Sequence, residues 1–275
     1  YIVQAHSLGM KAMFYNLCFG AFDDAKADGV DDRWYIFTDQ NHSKCDRHQL
    51  PSDWKSDIYL VDPSNKDWQN YLADRNDDVY EALDFDGFHI DQLGYASFIR
   101  AMKERQPDKR LVMNAVSNYG SDKIVSTGCV DFMYSELWDG EDKFSDLHDI
   151  LKANRLYSGN TLGQVYAAYM DYGHNKPEFN TPGVLLTDAV MFALGASHLE
   201  LGAGHMLSSE YFPYADVKMS AELKKQIVAY YDFLTAYQNL LRNGGTETQC
   251  DIAAAKSVVT INAWPPVLGN VTAYS

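Results

Sequence analysis

A chain of 275 residues with 46% hydrophobic content can bury one large core. Its 23 Lys and Arg against 38 Asp and Glu give a formal charge of −15, which repels phosphate backbones and anionic lipid headgroups. Nucleic acid and membrane surfaces are therefore poor partners, while a neutral ligand is unaffected. No apolar run approaches the roughly 18 residues of a membrane span.

Strands and helices alternate along the chain, the pattern of a parallel α/β architecture. The first predicted strand is Lys11 to Leu17, followed by a long loop from Cys18 to about Asp57 that is rich in Gly, Asp and His. The wide spacing of the four cysteines does not look like a disulfide framework, although Cys18 and Cys45 could bridge across this loop. Cys129 and Cys250 complete the set; none forms a Cys-x-x-Cys pair, which argues against zinc. His42 and His48 lie in the same loop near Asp39 and Asp46 and read better as a solvated polar loop than as metal ligands. Neither a metal nor a cofactor is expected.

Asp62-Pro63-Ser64 opens a helix, with Ser64 as N-cap and Asp67 as the acidic half of a capping box. Trp68, Tyr71, Leu72, Val79 and Leu83 form its buried stripe. A second strand covers Phe85 to Ile90, and a helix covers Tyr95 to Arg105. The third strand is Leu111 to Ala115, the fourth Asp131 to Ser135, and a helix spans Lys143 to Asn154. The fifth strand is Gln164 to Tyr169, a helix covers Thr187 to Gly195, and the sixth strand is His198 to Leu201. A long helix from about Ser220 to Leu241 stops at Asn243-Gly244-Gly245. From Asp251 the composition shifts to Val, Thr, Pro and Gly, the approach to a β-rich segment. Six strand–helix units fit a (β/α)8 TIM-type barrel incomplete at the N-terminus, with strands 3 to 8 visible. An open doubly wound sheet is the alternative, but no Gly-x-Gly-x-x-Gly follows any strand.

Two strand ends carry carboxylates. In Asp86-Gly-Phe-His-Ile-Asp91, alternation puts Gly87, His89 and Asp91 on one face and Phe88 and Ile90 on the other. In Asp131-Phe-Met-Tyr-Ser-Glu136, the residues Phe132, Tyr134 and Glu136 share a face. If the first visible strand is the barrel's third, the two acids end strands four and six. Even strands feed the same interior layers, so both would face the mouth. Cleavage of a glycosidic bond needs such a pair, one carboxylate to attack the anomeric carbon and one protonated group for the leaving oxygen. Glu136, beside Tyr134 and Trp138, is the expected acid, its pKa raised by apolar neighbours. Asp91 is the expected nucleophile, held ionised by hydrogen bonds from Tyr15 or Asn16. An aromatic share of 13% suits the stacking of sugar faces, or equally an aromatic core.

The segments Ala5-His-Ser-Leu-Gly-Met-Lys-Ala-Met13, Tyr15-Asn16, Ile58-Tyr-Leu-Val-Asp-Pro-Ser-Asn65 and Asp86-Gly-Phe-His-Ile-Asp-Gln-Leu-Gly94 resemble the glycoside hydrolase family 66 barrel. So do Glu200-Leu-Gly and Met206-Leu-Ser-Ser-Glu-Tyr-Phe-Pro213. The resemblance implies a retaining endo-glycoside hydrolase that cleaves α-1,6 bonds in dextran, with dextran and isomaltooligosaccharides as its α-glucan partners. Cyclising glucanotransferase activity is the alternative, and a non-catalytic glucan-binding barrel is another. By motif position it implies Asp91 as nucleophile and Glu136 as acid/base, with Tyr15, Asn16, His89, Trp138 and Asp139 lining subsites.

Gln92 and Asn114, next to the nucleophile and at a strand end, join the expected substrate-binding set, as do Glu210 and Tyr211 after the sixth strand. His89, Trp138 and Asn114 each also read as packing residues, and Glu210-Tyr211 as a loop cap. The resemblance further implies a catalytic barrel core over 1–250, with 251–275, including Ala263-Trp-Pro-Pro-Val267, as the junction to a C-terminal β domain. It also implies export, by secretion or to a bacterial surface or periplasm, although no signal peptide is visible. The family's cyclising enzymes carry a carbohydrate-binding module after strand seven, for which Tyr169 to Thr187 leaves no room; hydrolysis is therefore the expected activity.

Overall fold

A computed structural model describes residues 1–92, 96–138, 140–141, 143–168, 177–199, 218–245, 261–262 and 271–272. The chain divides into two compact units, residues 1–115 with 120–132, and residues 116–119 with 133–275.

The first unit opens with α1 (Ile2–Ser7) and β1 (Met13–Leu17). The predicted long loop is not structureless. It contains the two-residue strands β2 (Gly20–Ala21) and β3 (Arg47–His48), which pair on either side of β4 (Ile58–Leu60), just beyond it, as an antiparallel sheet in the order β2-β4-β3. Two-residue strands leave no readable alternation, which is why the sequence pattern misses them. The loop's acids and histidines have structural work. Asp39 accepts backbone N–H bonds from Asn41, Ser43 and Lys44, and His42 stacks on Phe37 with centroids 4.5 Å apart. Cys18 and Cys45 do not bridge; both are free thiols. Cys18 is wholly buried among neighbours from another strand, so its side chain points away from the loop.

After β4 comes α2 (Lys66–Ala82), then β5 (Gly87–Asp91), α3 (Ala96–Arg105), β6 (Arg110–Asn114) and α4 (Ser121–Ser126). Strands β1, β5 and β6 run parallel in that order, with Tyr15 opposite His89 and His89 opposite Val112. The outward face of this sheet is aromatic. Phe14 stacks on Phe88 at 5.0 Å and meets Tyr80 and Phe85 edge-on. Trp68, Leu72, Phe98, Ile99 and Met102 bury the helices against it. The acids at strand starts are braces. Asp86 accepts from His6, Lys11 and the N–H of Ala12, and the Lys11 contact above all holds its carboxyl well below the usual range. Asp131 accepts from the N–H of Leu111.

The second unit carries β7 (Phe132–Leu137, from Met133 onward), α5 (Phe144–Tyr157), β8 (Gly163–Ala168), α6 (Thr181–Ala193) and β9 (Ser197–His198). Its last long element is α7 (Ala221–Asn239), which widens into a π turn over Leu240–Gly244. The strand order is β7-β8-β9. Leu137, Leu147, Leu151, Tyr166, Met191 and Phe192 form its main core. Helix α6 starts at Thr181 rather than Thr187, because Asn180 caps it and Pro182 stands in its first turn. In the tail, β10 (Ile261–Asn262) and β11 (Val271–Thr272) pair in parallel.

The cap of α2 is also corrected. Asn65, not Ser64, accepts from the N–H groups of Asp67 (2.9 Å) and Trp68 (3.4 Å), while the Ser64 hydroxyl donates to Asp62. Urea denaturation should therefore separate the two positions. Asn65→Ala should cost about 1 kcal/mol, and Ser64→Ala under ~0.5 kcal/mol; equal losses would contradict the assigned cap.

Candidate functional site

Asp91 is the last residue of β5, flanked in register by Leu17 of β1 and Asn114 of β6. It is only 4% exposed, so its carboxylate depends on protein donors. Each oxygen has one. The Tyr15 hydroxyl donates to Oδ2 at 2.6 Å, and the Asn114 amide donates to Oδ1 at 2.8 Å. Two donors from two neighbouring strands fix the plane of the carboxylate, at about 1.5–3 kcal/mol for each bond to a charged group. Tyr15 itself is half-exposed, so this group stands between the buried strand ends and solvent.

The alternation of β5 holds as expected, with Phe88 and Ile90 buried against the helices. His89 packs edge-on against Tyr15, with centroids 5.5 Å apart. Burial pushes the His89 imidazole below its ordinary value, and the nearby Asp91 charge opposes this. Gln92 follows with φ +52, a left-handed conformation uncommon for a residue other than glycine. Its carbonyl accepts from the Cys18 thiol at 3.5 Å. Burial, with the Asp91 charge as a second cause, pushes that thiol's pKa far up. Cys18 belongs to the surroundings of Asp91 and was missed as such; no sequence spacing links it to a residue 73 positions away (91 − 18). The expectation that Asn16 might serve the carboxylate is corrected. Strand alternation sets it on the other face from Tyr15, its Oδ1 accepts from the N–H of Leu17, and Asn114 supplies the second donor.

Glu136 lies in the second unit. Strand β7 runs through it to Leu137, two residues beyond the predicted strand end at Ser135. It is half-buried, while Ser135 and Leu137 on the opposite face are fully buried. The Ser135 hydroxyl oxygen accepts from the N–H of Asn118, in a turn where Ser117 and Asn118 both have positive φ (50° and 59°). Asn154 then donates to Asn118 Oδ1 and to the Tyr166 hydroxyl, and Tyr166 donates to Gln164. This buried chain ties the strand carrying Glu136 to α5 and β8. Trp138 follows, half-buried, its carbonyl accepting from the N–H of Glu141. Asp139, Glu210 and Tyr211 lie outside the described residues.

The model for glycosyl hydrolase family 66 matches residues 1–275. The chain belongs to glycosyl hydrolase family 66. A cycloisomaltooligosaccharide glucanotransferase of Niallia circulans is 28% identical over 204 residues, covering 63% of this chain and 21% of the relative. A dextranase of Streptococcus salivarius is 25% identical over 259 residues, covering 71% of this chain and 31% of the relative. This family 66 chain thus spans only a fifth to a third of the length of these relatives. The crystal structure of a Paenibacillus sp. cycloisomaltooligosaccharide glucanotransferase complexed with cycloisomaltoheptaose superposes with a TM-score of 0.79 at 22% identity, covering 91% of this chain and 57% of that one. That likeness establishes the fold as a TIM-type (β/α)8 barrel, incomplete in this chain. No helix among the described residues is long and apolar enough to cross a membrane.

The lowered pKa of His89 has a definite sign. The unfolded chain binds the proton more readily, so the stability present above the ordinary value near 6.5 is lost as pH falls through it towards the folded value. Ring NMR should give a His89 midpoint below ~6.5, and His89→Gln should flatten the acid-side loss of stability between about pH 7 and 5. A midpoint at or above the ordinary value would contradict this environment.

Proposed function

We propose that this family 66 chain is the catalytic barrel of a retaining endo-glycoside hydrolase acting on α-1,6-glucosidic bonds of dextran. The observation that carries the reading is the Asp91 carboxylate at a strand end, oriented by one donor on each oxygen, in a chain of this family. Asp91 attacks the anomeric carbon as Glu136 gives its proton to the glycosidic oxygen, which leaves as a hydroxyl. The sugar is then an ester of Asp91. Glu136, now a carboxylate, takes a proton from water. The water oxygen attacks the same carbon, restoring the original anomeric configuration and freeing Asp91. Retention requires carboxyl groups about 5–5.5 Å apart. Tyr15, His89, Gln92, Asn114 and Trp138 contact sugar hydroxyls or faces in this reading, with Asp139, Glu210 and Tyr211 assigned to outer subsites and Asn16 to the rim. A polymer that cannot enter a cell implies action outside it, by secretion or at the surface.

Similarity to cycloisomaltooligosaccharide glucanotransferases favours a second reading. There, the 6-hydroxyl at the far end of the same chain takes the place of water and closes a ring. Against it, α6 begins at Thr181, so only residues 169–180 join β8 to that helix, too few for an inserted module.

In the full-length protein, Asp91→Asn should remove dextran cleavage, and Glu136→Gln should lower kcat by ~10²–10⁴-fold, both with unchanged circular dichroism. Azide added to Glu136→Ala should yield a glycosyl azide of retained configuration. Wild-type turnover in either variant would refute these two roles. Chromatography of dextran products separates linear from cyclic isomaltooligosaccharides and so decides between the two readings.

A further inference from the structure

The second unit holds a cavity of about 170 Å³ at the start of β8, whereas Glu136 stands towards the end of β7. The volume is far above the ~10–15 Å³ that admits one water and below the ~300 Å³ of pockets for drug-sized ligands. Arg155, Asn160, Thr161, Gln164, Arg242 and Asn243 supply its polar wall, and no acidic side chain lines it among the described residues.

Of the chain's eight arginines, Arg33, Arg47, Arg75 and Arg105 each pair with an aspartate. Arg100, Arg110, Arg155 and Arg242 do not among the described residues. Arg155 is nonetheless held in place, donating from Nη2 to the Arg242 carbonyl at 2.6 Å and from Nε to Asn160 Oδ1 at 3.0 Å. Arg242 Nε is hidden from solvent and meets no hydrogen-bond acceptor among the described residues. A buried donor on a charged group is costly to leave unsatisfied.

The surrounding backbone is built to this shape. Arg242 sits in the π turn that ends α7, a widening often found at functional sites. Gly195, at φ +80, lets the end of α6 abut that turn; a Cβ there would lie 2.8 Å from the Leu241 oxygen and 2.9 Å from Arg242 Cα. Asn160 takes a left-handed conformation (φ 60) and donates to Asn243 Oδ1 at 3.0 Å.

We propose that this cavity binds a small oxyanion, a carboxylate or phosphate group, between the guanidinium groups of Arg155 and Arg242. Planar guanidinium forks match both anions in geometry and charge. In a chain of formal charge −15, a cavity lined by two arginines and, among the described residues, by no acid is a local reversal of sign. The inference does not depend on the catalytic reading.

The test is equilibrium dialysis and thermal unfolding of the full-length protein with inorganic phosphate and, separately, with acetate, at ionic strength held constant by chloride. Saturable binding of either anion, with a rise in Tm, is expected; the two arms identify which group the site takes. Arg242→Gln should weaken that binding at least tenfold, and Arg242→Lys by less. Should Arg242→Gln fail to fold, phosphate or acetate should still protect Arg155 and Arg242 of the wild type from a dicarbonyl reagent, read by peptide mapping. The proposal is overturned if neither anion binds saturably, if Arg242→Gln binds like the wild type, or if the two arginines gain no protection.

Discussion

The Asp91 carboxylate, gripped on both oxygens by side chains from the strands on either side, is the constraint around which the first unit is organised. It depends on parallel register. Leu17, Asp91 and Asn114 stand side by side at the strand ends, and Tyr15 reaches the carboxylate from the next inward pair. A slip of one residue between β5 and either neighbour would turn the donor to the opposite face. The register is held at the other end of the strands by Asp86, which gathers His6, Lys11 and the start of β1, and by aromatic packing of Phe14 on Phe88 behind the sheet. Acids at the starts of strands thus brace the fold, whereas the acid at the end of β5 is held by a tyrosine and an asparagine and by no cation among the described residues.

The second unit supports Glu136 by another means. Its strand is tied through Ser135 to a left-handed turn at Ser117 and Asn118, and from there through Asn154, Tyr166 and Gln164 into the core. Both amide bonds of Asn154 are made, while its Oδ1 is buried without a partner among the described residues, so the chain ties the elements together without satisfying every group in it. Non-glycine residues at positive φ recur where each acid stands, Gln92 directly after Asp91 and the Ser117–Asn118 turn beside the strand of Glu136.

Membership of family 66 unites these observations without choosing among the family's reactions. Its relatives include a dextranase and glucanotransferases at comparable identities. Hydrolysis and cyclisation share the same first step and differ in whether water or a sugar hydroxyl accepts the glucosyl group.

The strand–helix alternation, the alternating faces of β5 and the family were all legible in the order of residues. These are properties of local periodicity and short motifs, and they survive whatever the rest of the chain does. Most strand ends could be read to within one or two residues, the exception being the sixth, expected to reach Leu201 and ending at His198, and Tyr15 as a donor to Asp91 was foreseen. Folding in three dimensions was needed to show that Asn114 rather than Asn16 completes the grip, that Cys18 lies beside Asp91 instead of bridging to Cys45, that Asn65 caps α2, and that a small sheet occupies the presumed loop. It also brought together Arg155 and Arg242, which are 87 positions apart. Contacts of that kind depend on which strands become neighbours and in what register, and pairing between distant segments leaves no periodic trace in either one.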